Sequence, residues 1–372
     1  MSPGGDGWKW PKSEDGTVWV PVVISSSFSD KHKDLIQDSM YEFESLTCVK
    51  FTPRTTEIDY INITSTNGCQ ANLGRVGGGQ SVQLLAPGCM YKGIIQHELN
   101  HALGFEHENS RPDRDKYIKI NYENIEPGSE SYFYVSESDN NGLPYDYESV
   151  MHFASYAYSK DPNLFTIVPI PDPNVPIGQR CGLSVLDVAA INKVYDCNVC
   201  STLLNTLSGE LSSPNYPDNY SNNLTCVWLI RLQYGQVSLT FNDFCLDKSF
   251  ACISDYITIY EGPSRDSPRL LNRICGNLTL PTIIVNSSIM LIEFVSDDYT
   301  TSVGFSASYK SVPCGGTFFN SADVIISPGY YSGSYPPNID CEFYIYAPAG
   351  YKILLTGEYD IDFSINCVFD SL

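Results

Sequence analysis

The chain has 372 residues, more than a single hydrophobic core usually organises, so two or three domains are expected. A net charge of −21, from 22 basic against 43 acidic residues, argues against nucleic acid or an anionic lipid surface as partner. Both need concentrated positive charge. Apolar residues at 42% suffice for packed cores, but no run approaches the roughly 18 apolar residues of a membrane span.

Residues 8–120 read as mixed α/β. "TVWVPVVIS" and "YINITS" are strand-like, with β-branched and aromatic residues between turn formers. Between them, Phe28, Leu35, Ile36, Met40 and Phe43 carry a helical apolar spacing. Residues 121–198 are rich in Pro, Gly, Asn and Tyr. They read as long ordered loops closed by a helix at "SVLDVAAINKVYDC", where Ser184 caps and Asp187 stands three residues on. After Cys197 the character changes to short strands and turns, with "VSLTFNDF", "DYITIYEG", "IIVNSSIMLIEFVS" and "GFSASYKS" predicting a sandwich of antiparallel sheets. Its opening, from Cys200 to Cys226, is echoed from Cys314 to Cys341, each copy with an "SP-x-Y" turn. The second copy is about half the length of the first, so the native chain is expected to continue beyond Leu372.

Thirteen cysteines spread over the whole length suggest an oxidising compartment, and sequons at Asn62, Asn219, Asn223, Asn277 and Asn286 fit a secreted, extracellular protein. No signal peptide precedes Trp8. The expectation is that a leader and any propeptide lie ahead of this sequence.

The decisive stretch is "HELNHALGFEHENSRPDRD". On a helix, His97 and His101 sit one turn apart on one face and can grip the same ion. Glu98 projects beside them, placed to accept a proton from water rather than to bind metal. Gly104 frees the backbone to turn, and His107 can return as a third nitrogen ligand. Three imidazoles leave one position open, the arrangement of a catalytic rather than a structural zinc site. These are three of only five histidines. The plainer reading is a buried, hydrogen-bonded histidine cluster.

With "KWPKSEDGTVWVPVVIS", "CMYKGIIQHELNHALGFEHENSRPDRD", "YDYESVMHF" and "PNVPIGQRCGLSVLDVAAINKVYDC", the sequence resembles the astacins, a metzincin family of zinc metalloproteases. The likeness extends to vertebrate hatching enzymes, particularly the amphibian embryonic type with trailing CUB domains. It implies zinc on His97, His101 and His107, with Glu98 as general base and acid. It also implies that Glu108 receives the new N-terminus after propeptide removal, and that Met151 supports the site from beneath without binding metal. On physical grounds alone Met151 reads as core filler. Where the family has a tyrosine that hydrogen-bonds the developing oxyanion, this chain has Phe153. Losing such a donor costs about a hundredfold in rate, so a weakened protease is expected unless Tyr156 or Tyr158 supplies a hydroxyl. Arg180 reads either as a subsite favouring an acidic residue after the cut or as an ordinary salt-bridged arginine.

The resulting architecture is a mixed α/β metzincin catalytic domain (1–198), a β-sandwich CUB domain (200–311) and a partial second CUB domain (314–372). The resemblance implies the pairs Cys48–Cys197, Cys69–Cys89, Cys200–Cys226, Cys252–Cys275 and Cys314–Cys341, leaving Cys367 without a partner. Cys181 and Cys245 fall outside the pattern, and a bond between them, tying the two domains, is an expectation. Asp247, Asp255 and Asp297 stand where CUB domains hold calcium. Carboxylate oxygens suit that ion, although surface aspartates are common in so acidic a chain. Asp362 and Asp370 repeat the first two positions. The expected function is secreted zinc endoproteolysis, of egg-envelope glycoproteins at hatching. The CUB domains are expected to hold a protein or glycoprotein partner. Alternatives are tolloid-like processing of matrix proteins or growth-factor antagonists, and a low-activity protease fold acting through CUB-mediated binding.

Overall fold

The computed structural model describes Ser2, residues 7–347 and 350–358, and Ile361. Cys367, Asp362 and Asp370 lie outside these described residues.

In β1 (Val18–Ile24), Val18, Val20 and Val22 turn inward while Trp19 and Val23 face out, the period of a strand. Helix α1 (Asp30–Leu46) starts at Ser29, whose hydroxyl accepts the His32 N–H, and buries Ile36, Met40, Phe43 and Leu46. Strands β2 (Val49–Pro53), β3 (Tyr60–Thr64), β4 (Cys69–Ala71) and β5 (Gly79–Leu84) complete a sheet of order β2-β1-β3-β5-β4. It is parallel except for β4, the antiparallel edge. Helix α2 (Lys92–Ala102) packs against α1 and this sheet and carries the first two histidines of the motif. The long loop region that follows is held by a short antiparallel pair, β6 (Ile118–Ile120) with β7 (Ile167–Pro169), over a small core including Ile118, Phe133 and Phe153. Helix α3 (Val185–Val194) closes the region, and Ser184 and Asp187 form the expected reciprocal cap.

The strands predicted after Cys197 are present in two facing sheets. β8 (Cys200–Leu204), β9 (Ser208–Ser212), β10 (Thr225–Arg231) and β11 (Gln236–Cys245) are followed by β12 (Tyr256–Tyr260), β13 (Arg269–Ile274), β14 (Ile283–Ile284), β15 (Ile289–Val295) and β16 (Gly304–Val312). The sheets run β13-β12-β15-β10-β8 and β14-β11-β16-β9. The expectation of antiparallel pairing fails at one place, because β8 runs parallel to β10 with Cys200 opposite Cys226. The repeat shares this feature. Gly315 and Glu342, which follow Cys314 and Cys341, open a parallel pair of β17 (Gly315–Phe318) with β18 (Glu342–Ile345).

All five implied disulfides form. The expected Cys181–Cys245 bond does not, and both cysteines are free. Cys181 precedes Gly182, which abuts the Arg231 guanidinium at the end of β10. β11 sets out from that same end and runs its 10 residues away, carrying Cys245 about 30 Å off. A disulfide needs Cα atoms within about 7 Å. The Cys245 Sγ lies 3.2 Å from the Ser302 hydroxyl instead.

A continuous core joins the two domains, for Leu203, Val227, Leu229, Tyr260 and Leu291 pack in the same cluster as α1 and α2. At its margin lies Glu42, fully buried, paired with Lys92 (2.9 Å) and with Arg231, and accepting from the Gln96 amide at 2.6 Å. Burial opposes ionisation of Glu42, but Lys92 and Arg231 prevail and hold its carboxyl below the usual value. The stabilisation from this pairing is present above the ordinary glutamate pKa of about 4.3 and is lost as pH falls through the lower folded value. Arg231→Met should cost about 3 kcal/mol in urea unfolding at neutral pH, because a buried carboxylate loses one of its two cations. An unchanged midpoint would contradict this docking.

Candidate active site

The N-terminus of α2 meets the loop before α3, where the Gly93 N–H donates to the Arg180 carbonyl at 3.1 Å. A Cβ on Gly93 would stand 2.3 Å from that group, so only glycine allows the approach. At the other end the helix stops at Gly104, with φ +93 and the Trp8 ring where a Cβ would point, 2.1 Å away. The chain then folds back, with Phe105 N–H on the Asn100 carbonyl at 2.9 Å, and brings His107 over the helix.

His97 Nδ1 lies 2.8 Å from the Val150 carbonyl and His101 Nδ1 lies 2.7 Å from the Phe105 carbonyl. Each Nδ1 must therefore be the protonated nitrogen, which leaves Nε2 as a lone pair. His107 Nε2 stands 3.2 Å from His97 Nε2 and 3.1 Å from His101 Nε2. Burial drives all three imidazoles toward the neutral form, His101 to about 4. Lone pairs held this close call for a cation between them. Tetrahedral zinc with Zn–N near 2.0–2.1 Å sets its nitrogens about 3.3 Å apart, so the donor set fits that ion. Among the described residues these histidines are the one group of three or more possible donors within 4.8 Å of one another.

Glu98 is buried beside them, and its Oε2 has no hydrogen-bond partner among the described residues. Burial pushes its carboxyl up to about 8, opposed by the positive charge of Arg180. Arg180 is neither a simple surface cation nor free to reach far into the cleft. Its Nη1 donates to the His152 and Gln179 carbonyls at 3.1 and 2.7 Å. Glu108 accepts from Arg111 and from the Asp146 N–H, both at 2.9 Å, and borders a cavity of about 20 Å³ that Met151 also lines. Met151 is buried, and its carbonyl accepts the Glu108 N–H at 3.1 Å. Phe153 is buried with its ring centroid 4.4 Å from that of His107.

Sequence reasoning assigned Asp187 only a capping role. Its carboxylate also accepts the Ser149 hydroxyl (2.7 Å) and the Val150 N–H (2.8 Å), so it anchors the residue whose carbonyl orients His97. No sequence signal linked these positions, because the contact is tertiary. A cleft of about 420 Å³ opens over His101 and His107, walled by Ala71 of the β4 edge and by Tyr132 and Tyr134.

The aspartates of the second domain come within electrostatic reach of one another without converging as the histidines do. Asp255 Oδ2 accepts the Tyr220 hydroxyl at 2.5 Å and Oδ1 the Asp297 N–H at 2.8 Å, while the Asp247 N–H donates to Tyr220. Burial, then Asp297 and Asp247, raise the Asp255 carboxyl above its ordinary value.

Three convergent imidazoles, a glutamate beside them and an open cleft define a zinc-dependent endopeptidase. Residues 9–196 match the family model of the astacin peptidases, and residues 200–309 match that of the CUB domain. The chain belongs to the astacin family. It is 49% identical to Embryonic protein UVS.2 of Xenopus laevis, over 98% of this chain and 70% of that protein. It is 50% identical to the Astacin-like metalloendopeptidase of Coturnix japonica, over 81% of this chain and 74% of that one. Among solved structures it resembles High choriolytic enzyme 1, a hatching enzyme zinc-protease from Oryzias latipes (medaka fish). That match is 46% identical with a TM-score of 0.52, covering 53% of this chain and 99% of that one.

Gly104→Ala should weaken zinc binding at least about tenfold, because the added methyl must displace Trp8 or the turn that returns His107. Competition with a chromogenic chelator measures this. Unaltered affinity would mean that the turn does not set the third ligand.

Proposed function

We propose that the chain is a secreted endopeptidase in which His97, His101 and His107 bind zinc and Glu98 is the general base and acid. The observation that carries this reading is the convergence of the Nε2 atoms beside a buried glutamate whose Oε2 has no protein partner among the described residues. Zinc bound there supplies Lewis acidity, polarising the scissile carbonyl and acidifying a water. Glu98 takes a proton from the attacking water and returns it to the departing amine, so no acyl-enzyme forms. Its ionised form is favoured by Arg180 and by a cation at the imidazoles.

The substrate is an extended stretch of an extracellular protein or glycoprotein. Ala71 on the exposed edge of the sheet lines the cleft, and an edge strand offers unpaired backbone groups to an extended peptide. Likeness to a hatching enzyme supports egg-envelope glycoproteins as the substrate class. Disulfides in both domains support an extracellular address, and among the described residues no helix is long and apolar enough to cross a membrane.

The working units are a catalytic domain (1–198), a CUB domain (200–311) and part of another (314–372). The first CUB domain takes Ca²⁺ through Asp247, Asp255 and Asp297, and the CUB domains bind protein or glycoprotein partners. Burial first, and then the charges of Asp297 and Asp247, raise Asp255, and a divalent cation relieves that repulsion. Millimolar calcium should raise the unfolding temperature of wild type, and Asp255→Asn should abolish that increment. An equal increment in the variant would remove these aspartates from the reading.

Glu98→Gln should abolish cleavage of a denatured protein substrate while the bound zinc stays at one per chain. Cleavage by that variant at the wild-type rate would end the assignment of Glu98.

A further inference from the structure

Phe153 leaves a gap in the chemistry. As a peptide carbonyl takes on negative charge, a hydrogen-bond donor aimed at its oxygen is worth about a hundredfold in rate. The Phe153 ring, packed against His107, has no donor to offer. The ring of Tyr158 lies 5.6 Å from that of Phe153, centroid to centroid, and stacks at 4.5 Å on Tyr132, a wall of the cleft over His101 and His107. We propose that Tyr158 is a catalytic residue whose phenolic O–H donates to the carbonyl oxygen of the scissile peptide, filling the place that Phe153 leaves empty.

Independent observations agree. Tyr158 is 42% exposed, and among the described residues its hydroxyl has no acceptor, so the donor is available to a ligand. Its backbone sits at φ +50, a strained conformation for an aromatic residue. Neighbours on both sides hold it there: its carbonyl accepts the Glu126 N–H at 2.8 Å, and Ser159 bridges to Ile125. Burial, then Tyr132, then Glu98 raise its phenol above the usual value. The phenol is thus within electrostatic reach of the catalytic carboxylate and stays protonated as a donor. Tyr156 is more exposed, at 62%. The nearby Tyr145 hydroxyl is already engaged with His152 at 2.8 Å.

This inference rests on the proposed peptidase reading, and the test separates the two. Tyr158→Phe, Phe153→Tyr and the double variant are compared with wild type for kcat and KM on an internally quenched peptide. Zinc content is measured for each, together with the Kd of a phosphinic peptide that mimics the tetrahedral state. Tyr158→Phe should lower kcat about a hundredfold with KM and zinc content little changed, and should weaken the phosphinic peptide by a comparable factor. Phe153→Tyr should restore most of that loss in the double variant while changing wild type far less. Unchanged kcat and phosphinic affinity in Tyr158→Phe would overturn the proposal. So would a rise in KM alone, or loss of zinc, either of which would make Tyr158 a wall or a support. The phosphinic measurement needs no turnover, so it decides Tyr158 even if wild type cleaves no faster than Glu98→Gln.

Discussion

Two backbone carbonyls, those of Val150 and Phe105, each take an imidazole N–H and so fix which nitrogen of His97 and His101 is left bare. Two further features hold those residues and the third histidine in register. Asp187 pins Val150 from the start of α3, and Gly104 with Trp8 forms the turn that delivers both the Phe105 carbonyl and His107. Neutral imidazoles are costly to bury without partners, and here each buried lone pair faces the same point. The arrangement makes sense only with a cation there, and the cleft above leaves room for a substrate.

The same helix is tied into the second domain. Gln96, one residue before the first ligand, bonds to Glu42, and Glu42 is shared between Lys92 of the zinc helix and Arg231 of the CUB sandwich. With a common apolar core beneath, the CUB domain is a docked wall of the catalytic unit rather than a tethered appendage. Whatever it holds is presented at a fixed position relative to the cleft. That is a physical basis for directing proteolysis to a bound partner.

Much of this was legible in the sequence, for reasons that differ between elements. His97, Glu98 and His101 lie within one helical turn or so, and Gly104 announces the break, so local periodicity carries the site. The cap at Ser184 is likewise local. Glu42 was not legible, because its partners lie 54 residues ahead at Gln96 and 189 ahead at Arg231 and its position looks like any polar slot on a helix. The Cys181–Cys245 expectation failed because matching leftover cysteines says nothing about the direction of the strand that carries one of them. The parallel β8–β10 pair escaped notice because alternation reports burial, not strand direction. Phe153 was readable as a departure, but the position of Tyr158 beside it depended on the fold.

The most direct test of the central claim is to remove metal from the purified protein with a chelator and titrate zinc back while following hydrolysis of a peptide. The account predicts no hydrolysis in the metal-free protein, recovery that is linear in zinc, and a break at one equivalent per chain. Hydrolysis that survives complete removal of metal would show that the three imidazoles are a structural cluster and that the peptide bond is broken elsewhere.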